Sequence, residues 1–315
     1  MASTIAQSVG VDIAKDTFDV YLHPAGWAGR SANDARGRSA LIAWLEGFAI
    51  ARIAFEPTGA YHHALERRLA AAGLPLVKVN PRRARRFAEA IGRHAKTDAI
   101  DAAMLARLAA LLEPPVRPVV SAALDAMKEL HVARRALVKD RVAARNRDHR
   151  HRSPLLKRQA RQRLRHIDRQ IAAVDAALHA ELTADPALLA RFDILMSIPG
   201  VGQATAFALL VEMPELGAIE HKGAASLAGL APIARDSGQR SGKRCIRGGR
   251  APLRQALYMP ALVAVRFDAA MKAKYEALLA AGKPPKVALI AIMRKLLILA
   301  NALLRDGRTW SPKLA

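Results

Sequence analysis

The chain has 315 residues, with 50 Lys and Arg against 27 Asp and Glu, a formal net charge of +23 and a pI near 11.1. That length accommodates two or three domains with sizeable cores, and that charge favours a polyanion, most simply nucleic acid. The single cysteine, Cys245, excludes an internal disulfide framework and fits a reducing cytosol; aromatic residues at 4% exclude a surface dominated by base-stacking platforms.

The opening MASTIAQSVGVDIAKD lacks the basic start and apolar core of a secretion signal. The most apolar stretch, ALIAIMRKLLILANALL, is interrupted by Arg294 and Lys295, so no membrane span is expected. Charge is uneven along the chain. Residues 1–118 hold 16 basic and 11 acidic side chains, residues 119–190 hold 15 and 8, and residues 191–315 hold 19 and 8. Phosphate contact is therefore expected mainly in the last two segments. The Ala- and Arg-rich usage is also what GC-rich coding DNA yields, a second source for part of this charge.

In chain order, residues 5–23 read as two short strands about a turn at Lys15-Asp16, with a third strand near 26–33. Residues 40–50 pattern as an amphipathic helix and 51–56 as a strand ending in Glu56. Residues 57–73 read as a turn and a helix closed by Gly73, then 74–80 as a strand. Pro81 opens a basic helix over 81–92, a further helix covers 97–112, and EPPVRP (113–118) breaks the pattern. Strands followed by alternation with helices predict an α/β layer fold for residues 1–118.

Within that fold, Asp12 falls in the first strand, Glu56 at the C-terminal end of a later strand, and Asp98 and Asp101 three apart on one helical face. Ligand sites in open α/β sheets form at strand ends, so these four acids are candidate hard ligands for a divalent metal, Mg²⁺ or Mn²⁺. Each has a plainer reading: Asp98 and Asp101 suit a solvated first helical turn, and Glu56 before Pro57 suits a turn. Lys96 is a candidate partner for carboxylate or phosphate. His62 and His63 are adjacent and should diverge on a helix, making a poor metal pair.

Residues 119–190 are nearly continuous helical pattern broken at Pro154, read as a coiled-coil arm. Its cations could hold nucleic-acid backbone or keep the arm solvated. In residues 191–315, ILMSIPGVGQATAFALLVEM resembles a helix–hairpin–helix, whose backbone N–H groups bind phosphate. Next, Ser237 and Ser241 each precede a glycine among Arg235, Arg240, Lys243, Arg244, Arg247 and Arg250. Such a serine can attack phosphorus if a base or metal activates it. Residue types alone leave a phosphate- or RNA-binding loop without covalent chemistry as the simpler reading. Residues 250–306 read as helices around a GKPPK connection.

VGVDIAKDTFDVYL, FEPTGAYH and KTDAIDAAMLA resemble the three acidic motifs of DEDD-type insertion-sequence transposases, the insertion sequence one-ten family with its Piv-type DNA invertases. IPGVGQATAFALL, GLAPIARDSG, GKRCIRGGRAPLRQALYM and GKPPKVALIAIMRKLL resemble the C-terminal domain of the same family, in the same order. The resemblance implies a RuvC-like, RNase H-type N-terminal domain with Asp12, Glu56, Asp98 and Asp101 as metal ligands. It implies a serine nucleophile, carried over onto Ser237 after Pro232, with Ser241 a second Ser-Gly. It further implies double-stranded DNA of element ends and target as substrate, a structured noncoding guide RNA, and dimers assembling to a tetramer. The bacterial cytoplasm, beside nucleoid DNA, is the location it implies. Three alternatives stay open: a RuvC-like endonuclease using metal-activated water, a non-catalytic nucleic-acid-binding protein, and an invertase without a guide.

Overall fold

The computed structural model describes residues 5–57, 59, 61–92, 98–116, 121–234, 236–238, 242 and 244–311. The chain forms two compact units, Met1–Val119 and Val120–Ala315.

The first unit begins with an antiparallel meander: β1 (Gln7–Ile13), β2 (Thr17–His23) and β3 (Ala28–Ala32). After α1 (Ala35–Leu45) the chain crosses to β4 (Ile50–Phe55), parallel to β1. After α2 (His63–Ala71) it crosses to β5 (Leu76–Lys78), parallel to β4. Helices α3 (Pro81–Ala90) and α4 (Asp98–Leu112) follow. The sheet order is β3-β2-β1-β4-β5. Strand alternation assigns the two faces. Val9, Val11, Phe18, Val20, Ile53 and Phe55 pack with Leu41, Leu45, Leu65 and Leu69 of α1 and α2. On the other face, Ala54 and Val77 pack with Met104, Leu105 and Leu108 of α4 and with Ala84 of α3. Helix α1 starts five residues before the amphipathic pattern indicated, because the Asp34 carboxylate accepts from the Gly37 amide at 2.7 Å and caps it there.

Helix α4 crosses β1 directly over Gly10. A Cβ built on Gly10 would overlap the carbonyl oxygen of Ala102 and the amide of Ala106, both backbone atoms that cannot yield. Gly10→Ala is therefore expected to destabilise the first unit by about 3 kcal/mol or more, read as a lowered urea midpoint. An unchanged midpoint would mean that α4 does not rest on β1.

The second unit opens with α5 (Ala122–Asp148) and α6 (Pro154–Ala184), an antiparallel hairpin. Arg134 pairs with Asp175, and Arg141 meets Asp168 at 3.3 Å. Leu124, Met127, Leu178 and Leu182 at its root belong to the core of the C-terminal helices, while Ala144, Ile167 and Ile171 join the helices further out. The remainder comprises α7 (Pro186–Met196), α8 (Gln203–Glu212), α9 (His221–Leu227), the short β6 (Pro232–Ile233) and β7 (Cys245–Ile246), α10 (Ala251–Ala256), α11 (Tyr258–Phe267), α12 (Ala269–Ala280) and α13 (Pro285–Asp306). Among the described residues, α13 is the one helix long and apolar enough to cross a membrane, despite Arg294 and Lys295. More than half of its apolar stretch is buried inside this unit, where Ile292, Leu296, Leu297 and Leu303 form the centre of the core. The buried Asn301 is satisfied there, accepting from the Gly217 amide and donating to the Ile219 carbonyl, both at 2.8 Å.

His131 lies buried at the root of the arm. Burial, then the charges of Arg135 and Arg134, lower its pKa from 6.5 to about 4. The neutral ring is thus favoured by the fold. Its contribution is complete above pH 6.5, where the unfolded ring is also neutral, and is lost as pH falls toward 4, when unfolding takes up a proton. Stability should fall by up to roughly 3 kcal/mol across that window. His131→Leu should flatten the profile; urea midpoints measured across pH check it, and equal slopes in the two proteins would contradict it.

Candidate active site

Asp12, Asp19, Glu56 and the start of α4 are placed toward one end of the sheet. Gly10 and Ala54 are register partners in β1 and β4, and both face α4. Asp12 and Glu56 each lie two residues further on, hence on the same face at the C-terminal strand ends. The direction of α4 follows from its other end. Arg52, early in β4, donates to the Pro114 carbonyl and to Glu113 Oε2, both at 3.2 Å. Leu105 and Leu108 lie by Ala54. The helix therefore runs antiparallel to β1 and β4, and its N-terminal turn reaches the level of Asp12 and Glu56. Asp101 belongs to that turn and is partly buried, as are Asp12 and Glu56. Each of the three makes further polar or electrostatic contacts. Asp98 starts α4, but its side chain lies outside the described residues, as does Lys96.

One further acid belongs here. Asp19 of β2 is the direct register partner of Asp12 and shares its face. Its carboxylate meets Arg30 of β3 at 3.2 Å. Two carboxylates opposite each other on adjacent strands repel, and the Arg30 guanidinium offsets that repulsion at Asp19. The hairpin turn at Lys15-Asp16 fixes this register, so strand pairing was the signal by which Asp19 could have been found in the sequence.

The histidines correct the sequence expectation. His62 caps α2 with helical backbone angles, yet its ring does not diverge from that of His63: the centroids lie 4.2 Å apart with the planes inclined at 30°. Ligand atoms of His62, His63 and Glu66 lie within 4.8 Å of one another, the group of metal-ligating side chains found this close among the described residues. It sits on the opposite face from the acids, since His62 packs against Phe55. Lys78 Nζ already lies 2.8 Å from Glu66 Oε1 and neutralises that buried carboxylate.

In the second unit the serine segment is tied at its base. β6 and β7 pair antiparallel, Pro232 with Ile246 and Ile233 with Cys245. The Arg250 amide donates to the Leu227 carbonyl at 2.8 Å, and Arg254 Nη1 to the Gly248 carbonyl at 2.8 Å. Gly229 and Gly249 approach so closely that neither tolerates a Cβ. Ser237 is exposed between β6 and β7. Asp236 accepts from the Gly242 amide at 3.1 Å and lies 3.8 Å from Arg244. Arg247 is exposed. Arg235, Arg240, Ser241 and Lys243 lie outside the described residues. Arg250 is held differently from its neighbours. Its guanidinium grips Glu215 at 2.7 and 2.8 Å and the Glu212 carbonyl, and the Glu215 hydrogen bond outweighs burial to raise its pKa. It therefore braces the segment rather than projecting from it. Helices α7 and α8 are joined by a glycine turn in which Gly200, at φ +84°, packs against Pro260 of α11. The N-terminus of α8, at Gln203 and Ala204, remains exposed.

Comparison with known proteins gives matches across the chain. Residues 192–276 match the family described as "Transposase IS116/IS110/IS902 family", and residues 9–151 match the DEDD-type IS110 family described as "Transposase". The chain is 30% identical over 323 residues to the "Pilin gene-inverting protein" of Moraxella lacunata, covering 97% of this chain and 98% of that protein. The protein of the same name from Moraxella bovis matches to the same extent. A Streptomyces coelicolor protein, "Insertion element IS110 uncharacterized 43.6 kDa protein", is 32% identical over 150 residues, 47% of this chain and 36% of its own length. The chain is thus a DNA-recombining enzyme of the transposase and invertase class. It belongs to the IS110 family of transposases.

Proposed function

We propose that this transposase cuts and rejoins DNA by serine transesterification at a site completed by a divalent metal. The observation that carries the reading is the placement of Asp12, Glu56 and the N-terminal turn of α4 toward one sheet end, with Asp19 adding a further carboxylate there. The mixed sheet backed by α4 supports the RuvC-like, RNase H-type assignment of residues 1–118, with 119–190 as arm and 191–315 as serine domain. Hard carboxylate oxygens suit Mg²⁺ or Mn²⁺, whereas the imidazoles and lysine-paired carboxylate of His62, His63 and Glu66 do not. Asp12, Glu56, Asp98 and Asp101 would hold the ion; when bound it supplies charge neutralisation at the scissile phosphate and at the leaving oxygen.

In this chemistry the Ser237 hydroxyl attacks phosphorus. The Oγ–P bond forms, the bond from phosphorus to the leaving sugar oxygen breaks, and the serine proton passes to a general base. Arg244 and Arg247, with Arg235, Arg240 and Lys243, hold the charge that develops. Attack by a new strand's hydroxyl then releases the serine and reseals the backbone. DNA of element ends and target is the substrate, a noncoding RNA guides it, and dimers pair into a tetramer. DNA inversion, the activity in the names of the Moraxella relatives, is a rearrangement the same chemistry performs. The location is the cytoplasm, where such DNA lies.

The test incubates purified protein, its co-purified RNA and labelled junction DNA with Mg²⁺ or EDTA on a denaturing gel. A protein-linked DNA band that requires Mg²⁺ is expected. Free ends without a linked band would favour a water-using endonuclease; no cleavage under any condition would favour a binding protein.

A further inference from the structure

We propose that the free end of the α5–α6 hairpin is a separate phosphodiester-backbone site, and this rests on the reading of the chain as acting on nucleic acid. Residues 145–166 carry nine Lys and Arg against one acid, Asp148. The rest of the hairpin, 121–144 with 167–185, carries six against seven. Drift toward Arg-rich coding would not segregate charge in this way within one pair of helices. Three of the four arginines further down have carboxylate partners: Arg134 with Asp175, Arg135 with Glu212 and Arg141 with Asp168. Those beyond Arg141 outnumber acids nine to one, and all nine are exposed.

Placement strengthens the reading. Arg145 and Arg147 end α5, where cations suit the negative end of the helix dipole. Lys157 and Arg158 follow the start of α6, whose first turn contains no acid, and there the dipole opposes them. A fold-only role does not account for cations at that end, whereas an anion would be drawn both by them and by the helix N-terminus. Lys157, Arg161 and Arg165 recur every four residues and form one exposed stripe with steps of about 6 Å. Between the two helices a cleft of about 250 Å³ is lined by Arg147, His151, Gln159 and Arg163, a donor set suited to a phosphate. The stripe and the cleft together fit a backbone rather than base edges.

Backbone contact is independent of sequence, so mixed-sequence duplex DNA and transfer RNA serve as probes. Affinity is measured by fluorescence anisotropy across salt concentrations. The triple variant Lys157→Ala/Arg161→Ala/Arg165→Ala should weaken binding tenfold or more and lower the salt slope by about two to three. Arg147→Gln/Arg163→Gln should do the same to a lesser degree. The control Lys128→Ala/Lys139→Ala/Arg169→Ala removes equal charge from exposed positions nearer the root and should change little. Loss on duplex alone assigns the tip to DNA, loss on transfer RNA alone to RNA, and loss on both to a shared backbone grip. Tip variants that match wild type on both probes, or a control that loses as much as the triple, would overturn the proposal while leaving the catalytic reading standing. Failure of the wild type to bind either probe would overturn both. None of these substitutions touches Ala144, Ile167 or Ile171, which join the helices, and circular dichroism verifies that the hairpin persists.

Discussion

Ser237→Ala is expected to eliminate the protein-linked DNA intermediate and to lower strand exchange by about 10⁴-fold or more, with DNA affinity unchanged. Transesterification conserves the phosphodiester bond: each bond broken is replaced by one of similar energy, so rejoining needs no external energy source. Water attack does not, and its free ends cannot be resealed by the same enzyme. Removing the serine oxygen should therefore abolish the adduct and the rejoining together, without a slower route taking over. Ser237 is exposed between β6 and β7, so its loss opens no cavity and should leave stability within about 0.5 kcal/mol. Ser241→Ala in parallel should retain the adduct. An adduct that survives Ser237→Ala but not Ser241→Ala would move the nucleophile four residues along; cleavage unaffected by both would make the loop a phosphate clamp.

Asp12→Asn and Asp101→Asn should each reduce strand cleavage by about 10³-fold, roughly 4 kcal/mol in the barrier, at any Mg²⁺ concentration. The stability readout separates a metal site from a structural acid. Asp12 faces Asp19 across β1 and β2, with Glu56 and the start of α4 at the same sheet end. Arg30 already offsets part of the repulsion at Asp19, so neutralising Asp12 should leave the melting temperature in EDTA within a few degrees of wild type. Wild type should gain stability on adding Mg²⁺ and the variants should gain less. A much lower melting temperature for Asp12→Asn in EDTA would mean that the carboxylate serves the fold through a hydrogen bond that the amide cannot replace.

Much of this protein was legible before its tertiary structure. Alternation in TFDVYLH marks a strand with one buried face, and Phe18, Val20 and Leu22 are its buried side. Pro81 and Pro154 mark helix starts, because proline lacks the N–H that a first turn leaves unused. The apolar repeat through 119–185 gives two long helices, and the acids Asp12, Glu56 and Asp101 are candidates by residue type and place. These signals are local: they depend on a side chain's chemistry and on a period of two or 3.6 residues. What pattern could not supply were the long-range contacts. The sequence contains Gly10 but not the helix that rests on it, nor the direction of that helix, which brings Asp101 to Asp12 rather than to the other sheet end. It contains His62 and His63 at the start of a helix, yet not the close approach of their rings, 4.2 Å between centroids. Arg250 reads like the other cations of its loop until Glu215, 35 residues earlier, closes on it. Arg294 and Lys295 argue against a membrane span in the apolar run of α13, but only the fold shows that the run serves as the centre of a core. The sequence alone determined which elements form and which acids and serine are candidates for the chemistry. Only tertiary packing decided which of those charges meet, because the energy of a charge depends on neighbours that chain order does not reveal.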